Sequence, residues 1–178
     1  MPQQVLDFWF KQLEPKDWFV SNPEVDKRIE TLFGALLKQA AQAELYSWRE
    51  TAQGRLAEVI VLDQFSRNIY RNTPQAFSQD PLALALAQEA VRLGVDKELN
   101  TIEKSFLYMP YMHSESVLIH EQAVKLFAQP GMENNYDFEL KHKVIIDRFG
   151  RYPHRNEILN RTSSAEEIEF LAQPNSSF

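Results

Sequence analysis

Cysteine is absent from the 178 residues, which removes disulfide frameworks, thiolate nucleophiles and zinc sites built on Cys, and suits a reducing cytosol. Glycine is scarce too. Five glycines leave little room for the tight turns of a many-stranded β sandwich and favour a helical protein. The most apolar stretches, Leu82 to Ala87 and Val59 to Leu62, fall far short of the roughly 20 residues that a membrane span requires. No signal peptide is expected at Met1-Pro2-Gln3-Gln4, which lacks a basic stretch followed by an apolar one, so the expected location is cytoplasmic. Positive charge is in deficit as well: a net charge of −6 and a pI near 5.3 argue against nucleic acid as a partner, because phosphate-backbone binding needs a broadly basic face.

The residues that are present read as one helical domain over 1–172, with 173–178 as a loose tail. Asn22-Pro23-Glu24 combines an N-cap, a first-turn proline and an acid at the positive end of the helix dipole, and opens a helix toward Ala41. Val25, Ile29, Leu32, Phe33, Leu36 and Leu37 give that helix an apolar stripe at spacings of three and four. Asp80-Pro81 repeats the device for a helix over Leu82 to Leu93, ended by Gly94. Asn100-Thr101-Ile102-Glu103 and Ser164-Ala165-Glu166-Glu167 are capping boxes. Further helices are expected over Arg55 to Tyr70, Glu115 to Ala128 and Tyr136 to Phe149, with a short one carrying Val5, Leu6, Phe8, Trp9 and Phe10. Short loops between helices of this length imply antiparallel pairs, and the aromatics Phe8, Trp9, Phe10, Trp18, Phe19 and Trp48 read as core.

Charge is segregated along the chain. Residues 141–161 carry six Lys or Arg against Asp147 and Glu157, a balance of +4, so the remainder must carry −10 to give the net −6. Arg148, Arg151, His154 and Arg155 fall within eight residues, and such groups repel one another unless solvated, paired with carboxylates or gathered around an anion. Gly150 and Pro153 set a turn that presents Arg151, His154, Arg155 and Asn156 from a fixed loop, either as a binding site or as salt bridges that hold the last helix down.

Two further constellations are polar. In Leu62 through Tyr70, Asp63 and Arg67 share a helix face, as do Gln64 and Asn68. They are either an intrahelical pair with interhelical hydrogen bonds or ligand-facing groups, with Arg67 the one most expected to enter a pocket. In Met109 through Ser116, Pro110 biases Met109 away from helix and Ser114 or Ser116 can cap the next helix, which puts His113 and Glu115 near a helix entrance, as acid–base partners or as capping groups. His120 and Glu121 are expected at the surface. The four histidines follow no compact metal-ligand spacing, so no metal is assigned. No nucleophile elbow, phosphate-binding glycine loop or dinucleotide fingerprint is present, and no cofactor is expected.

Taken together, Val5-Leu6-Asp7-Phe8-Trp9-Phe10, Leu62 through Tyr70, Met109 through Glu115, and Arg148 through Arg161 with Ser163, Glu166 and Glu167 resemble the DUF924 family of bacterial proteins of unknown function. The resemblance spans nearly the whole chain and implies a tetratricopeptide-repeat-like, right-handed array of helix pairs. Family members usually have Pro at Ser66, Phe at Tyr152 and Gly at Asn160. Asn160 can still take a left-handed conformation, and Ser66 spares the helix a proline kink. The resemblance brings no activity with it, so function rests on the site.

The expected site gathers His113, Glu115 and His154 as acid–base residues, with Asp63, Arg67, Asn68, Arg151, Arg155 and Asn156 binding a small anionic molecule in hydrolase-like chemistry. The alternative is an adaptor without catalytic activity, whose helical groove clamps an acidic peptide or protein.

Overall fold

In the computed structural model, which describes residues 1–178, the apolar start of the chain forms α1 (Pro2–Asp7) and widens into a π turn over Phe8–Gln12. Val5, Leu6, Phe8 and Trp9 are buried by it. The Asn22 side chain accepts the Glu24 N–H at 3.0 Å and starts α2 (Pro23–Ala41). Its buried face is Val25, Ile29, Phe33, Leu37 and Ala40, whereas Leu32, counted in the stripe from its spacing, lies 59 % exposed on the flank.

The helix expected over Arg55 to Tyr70 is present but not uniform. It comprises α3 (Ala52–Ile60), a π turn over Val61–Phe65 and α4 (Ser66–Ile69). Thr51 caps it by accepting the Gly54 N–H at 3.0 Å. A π turn inserts extra chain into the helix and re-aims the side chains beyond it; here the widened segment contains Asp63 and Gln64.

After a 3₁₀ turn at Pro74–Phe77 come α5 (Asp80–Arg92) and α6 (Thr101–His113). Asn100 and Glu103 close the expected capping box, each accepting the other's backbone N–H at 3.0 Å. Pro110 does not interrupt α6, contrary to the expectation for Met109. The ring sits in the last turn, where its missing N–H costs one hydrogen bond, and Phe106 through Met112 are buried on all sides, so packing offsets that loss. His113 is therefore the last residue of α6 rather than a residue at a helix entrance.

Then follow α7 (Val117–Phe127), α8 (Glu133–Phe149), a 3₁₀ turn at Pro153–Arg155 and α9 (Ala165–Leu171). Gly150 ends α8 with φ +69°, and Asn160 takes φ +52°, a left-handed conformation open to asparagine. The chain has no strand, and no helix is long and apolar enough to cross a membrane.

Consecutive helices pack on one another from α5 through α8, while α1 and α2 close over the opposite side of α3 and the π turn. One core cluster joins α1 to α7, and its centre is aromatic: Phe33 stacks on Phe65 at 4.9 Å, Phe8 meets Phe33 edge-on at 5.2 Å, and Trp9 meets Phe106 at 5.5 Å. Each such side chain contributes about 1.5–3 kcal/mol of burial. Phe19 is an exception among the expected core aromatics, at 68 % exposed. A smaller cluster of Ile145, Ile146 and Tyr152, with Phe149 and Phe170 against it, anchors the basic turn and α9.

Candidate functional site

The carbonyls at the end of α6 have no intrahelical partner, and three side chains take them. Tyr152 Oη donates to the Met112 carbonyl at 2.5 Å, Arg155 Nη2 to the His113 carbonyl at 3.0 Å, and the Ser114 carbonyl accepts from His120 Nε2 at 2.7 Å. A helix C-terminus favours cations, which explains locally why the basic turn docks at this place.

At that junction Asp63 is the hub. Its Oδ1 meets His113 Nδ1 at 2.7 Å and Arg67 Nη1 at 3.1 Å, and its Oδ2 accepts from Gln64 Nε2 at 2.7 Å. Arg67 also reaches back to the Asp63 carbonyl at 2.9 Å and grips both carboxylate oxygens of Asp80 at 2.8 and 2.9 Å. Burial by itself would raise the Asp63 pKa, but its partners His113 and Arg67 hold it below the ordinary value. His113 is pushed down by burial first and the Arg67 charge second, against the pull of Asp63, so the ring is neutral near pH 7. With Nδ1–H committed to the Asp63 carboxylate, His113 Nε2 carries a lone pair and has no protein partner.

Arg155 completes the arrangement from the basic turn. Its guanidinium is stacked between the rings of Phe77 and Tyr152, at 4.5 and 4.6 Å, and its nearest carboxylate oxygen, Asp80 Oδ2, is 3.7 Å away. Nε is buried without a partner. Burial, and then the charge of Arg67, lower the Arg155 pKa, as expected for a cation that is incompletely compensated.

These groups open on a cleft of about 390 Å³ whose polar wall is Asp80, His113, Glu115 and Arg155 and whose apolar wall includes Phe77, Leu84 and Leu159. Glu115 accepts from the Tyr152 N–H at 2.8 Å and from both terminal nitrogens of Arg161 at 2.8 and 2.9 Å. Burial opposes its ionisation, but the Arg161 and Tyr152 hydrogen bonds lower its pKa and keep it a carboxylate.

Other expected site residues lie elsewhere. Asn68 donates to Asp26 of α2 at 2.7 Å. Arg151 pairs with both oxygens of Glu167 at 2.7 and 2.8 Å, and Asn156 donates to Ser163 and Glu167 and accepts from Arg161, so these two hold α9 in place. His154 packs beside Tyr152, with ring centroids 5.6 Å apart, and its Nδ1 is buried without a partner. Burial and the neighbouring Arg155 push its pKa down to about 4. No hydrogen bond joins His154 to the Asp63 cluster. No three His, Asp or Glu side chains are grouped to hold a metal ion.

Two features went unread in the sequence. Asp80, seen there only as a helix start, is the carboxylate between Arg67 and Arg155. His120, expected at the surface, is fully buried and meets Glu139 Oε1 at 2.6 Å through Nδ1, with Tyr152 Oη 3.2 Å from its Nε2. Burial raises the Glu139 pKa. The apolar Val117 and Leu118, 41 % and 64 % exposed, point outward on α7, so the face with the polar residue is the buried one. A polar side chain tolerates that only with partners such as these.

Curated proteins provide no match to the chain. A solved structure of a protein of unknown function from Agrobacterium tumefaciens is similar over 96 % of both chains, at 35 % identity and a TM-score of 0.91. The family described as bacterial protein of unknown function (DUF924) matches residues 5–175, and the chain belongs to that family.

Proposed function

We propose that the cleft binds a small anionic molecule at Arg155 and exchanges a proton with it at His113 Nε2. The observation that carries this reading is the His113 ring, fixed through Nδ1 on buried Asp63 at 2.7 Å with its other nitrogen left unpartnered in the wall of a cleft. A carboxylate behind an imidazole selects the tautomer, fixes the ring and stabilises the imidazolium formed when Nε2 takes a proton. Arg155 supplies the charge that an anion seeks. Arg67 and Arg161 are each held by two carboxylate oxygens, whereas Arg155 gives one donor to the His113 carbonyl, meets a carboxylate only in the long contact to Asp80 and keeps its other donors free. Hydrolase-like acid–base chemistry fits this pairing of a proton carrier with a cation, and no cofactor is invoked.

The volume of the cleft lies in the range of small-molecule sites, about 300–1,000 Å³, and supports a small ligand over the acidic peptide of an adaptor. The packing of successive helix pairs is in keeping with a tetratricopeptide-like array, and the lack of cysteine with a cytoplasmic setting.

Calorimetric titration with formate, phosphate and sulfate, together with assays of carboxylic and phosphate esters, tests the reading. Saturable binding should be lost in Arg155→Gln, and turnover of any ester that reacts should be lost in His113→Gln. Equal affinities in the parent and Arg155→Gln would sink it.

A further inference from the structure

We propose that the cleft takes up its anion together with one proton, held on His113 Nε2, so that the bound ligand faces a loaded proton donor. This rests on the reading of the cleft as an anion site.

The charges around the cleft are already in balance. Asp63, Asp80 and Glu115 face Arg67, Arg155 and Arg161, with His113 neutral between them. An anion entering alone would leave its negative charge, one unit for a monoanion and two for sulfate, uncompensated among groups largely withdrawn from water, which is strongly unfavourable, and a proton taken up offsets one unit of it. The imbalance must be met from solvent, and His113 is placed to meet it. Its Nδ1–H already points at a fully buried carboxylate 2.7 Å away, so a proton added at Nε2 creates an imidazolium with its counter-ion in place and needs no rearrangement. The added Nε2–H then becomes a donor into the cleft, beside the free donors of Arg155.

The groups that act on the ring from each neighbouring element favour a change on binding. Asp63 and Arg67 act from the π turn and α4, Asp80 from α5, Glu115 from the linker after α6, Arg155 from the basic turn and the uncharged His142 from α8. In the empty cleft Arg67 and burial oppose protonation. An anion seated on Arg155 screens the positive side of this balance and leaves the Asp63 pull dominant.

The test is the titration of the His113 ring by nitrogen–proton correlation spectroscopy, with and without sulfate, a probe that does not itself titrate near neutral pH. Its resonance is assigned by its loss in His113→Gln. Sulfate should raise the His113 midpoint by about one pH unit or more, and sulfate affinity should fall about tenfold per pH unit between the free and bound midpoints. Arg155→Gln, which keeps the histidine, should show neither effect. Saturable sulfate binding with an unmoved His113 titration would overturn the proton uptake and leave the binding reading standing. No saturable binding at any pH from 5 to 8 would overturn both.

Discussion

Arg151 and Arg155 stand one turn apart on the same basic loop and do opposite work. Arg151 closes a two-point ion pair with Glu167 at 2.7 and 2.8 Å and drives the Glu167 pKa down to about 2, whereas Arg155 is stacked between two rings with its nearest carboxylate oxygen at 3.7 Å. Arg151→Gln should therefore lower Tm by several degrees and leave any sulfate-specific stabilisation intact. Arg155→Gln should leave Tm in chloride nearly unchanged, or raise it, and abolish the sulfate increment. Melting curves in sulfate and chloride at matched ionic strength compare the two, and the same response in both variants would contradict the division of labour.

Asp63 is fully buried and serves His113, Arg67 and Gln64 at once. Asp63→Ala strands those partners, and urea unfolding should show a loss of about 3–5 kcal/mol. A loss below about 1 kcal/mol would mean that the hub is not a buried network.

Buried His142 and half-buried His154 weaken the fold in acid. Burial first of all holds His142 down at about 3 and His154 at about 4, against an ordinary value of 6.5. Both folded values lie below the unfolded one, so their stabilisation is complete above pH 6.5 and is lost as pH falls toward 4 and 3. Within that window each contributes a slope of up to about 1.4 kcal/mol per pH unit. Urea midpoints at pH 7, 6 and 5 should fall steadily, and His154→Phe should reduce the slope. Stability that is level from pH 7 to 5 would count against the burial of both rings.

Gly54 is fixed by close approach. A Cβ there would lie 1.9 Å from the Trp48 carbonyl oxygen, in the 3₁₀ turn Tyr46–Glu50 that packs on the start of α3. Since backbone cannot swing aside as a side chain can, Gly54→Ala should cost about 3 kcal/mol, checked by chemical denaturation. A variant as stable as the parent would show that the turn does not close on the helix.

Signals that act within one helical turn were legible in the sequence. Asn22, Asn100 and Ser164 cap their helices, Gly150 ends α8, and Asp63 pairs with Arg67 four residues on. Each depends on backbone geometry that a short segment adopts by itself, so residue type and spacing suffice. The family resemblance was legible for the same reason, as it rests on short motifs in fixed order.

What joins those motifs was decided by packing. Asp80 meets Arg67 across two helices, His120 finds Glu139 on the next helix, and Arg151 and Arg155 part company because only one of them faces the Glu167 carboxylate. The sequence by itself determined an all-helical chain with its polar residues in three clusters. Only the tertiary structure decided which of those residues share a cleft, because a charged group's partner is whichever opposite charge the packed helices bring within about 3 Å, and that distance carries no trace in local spacing.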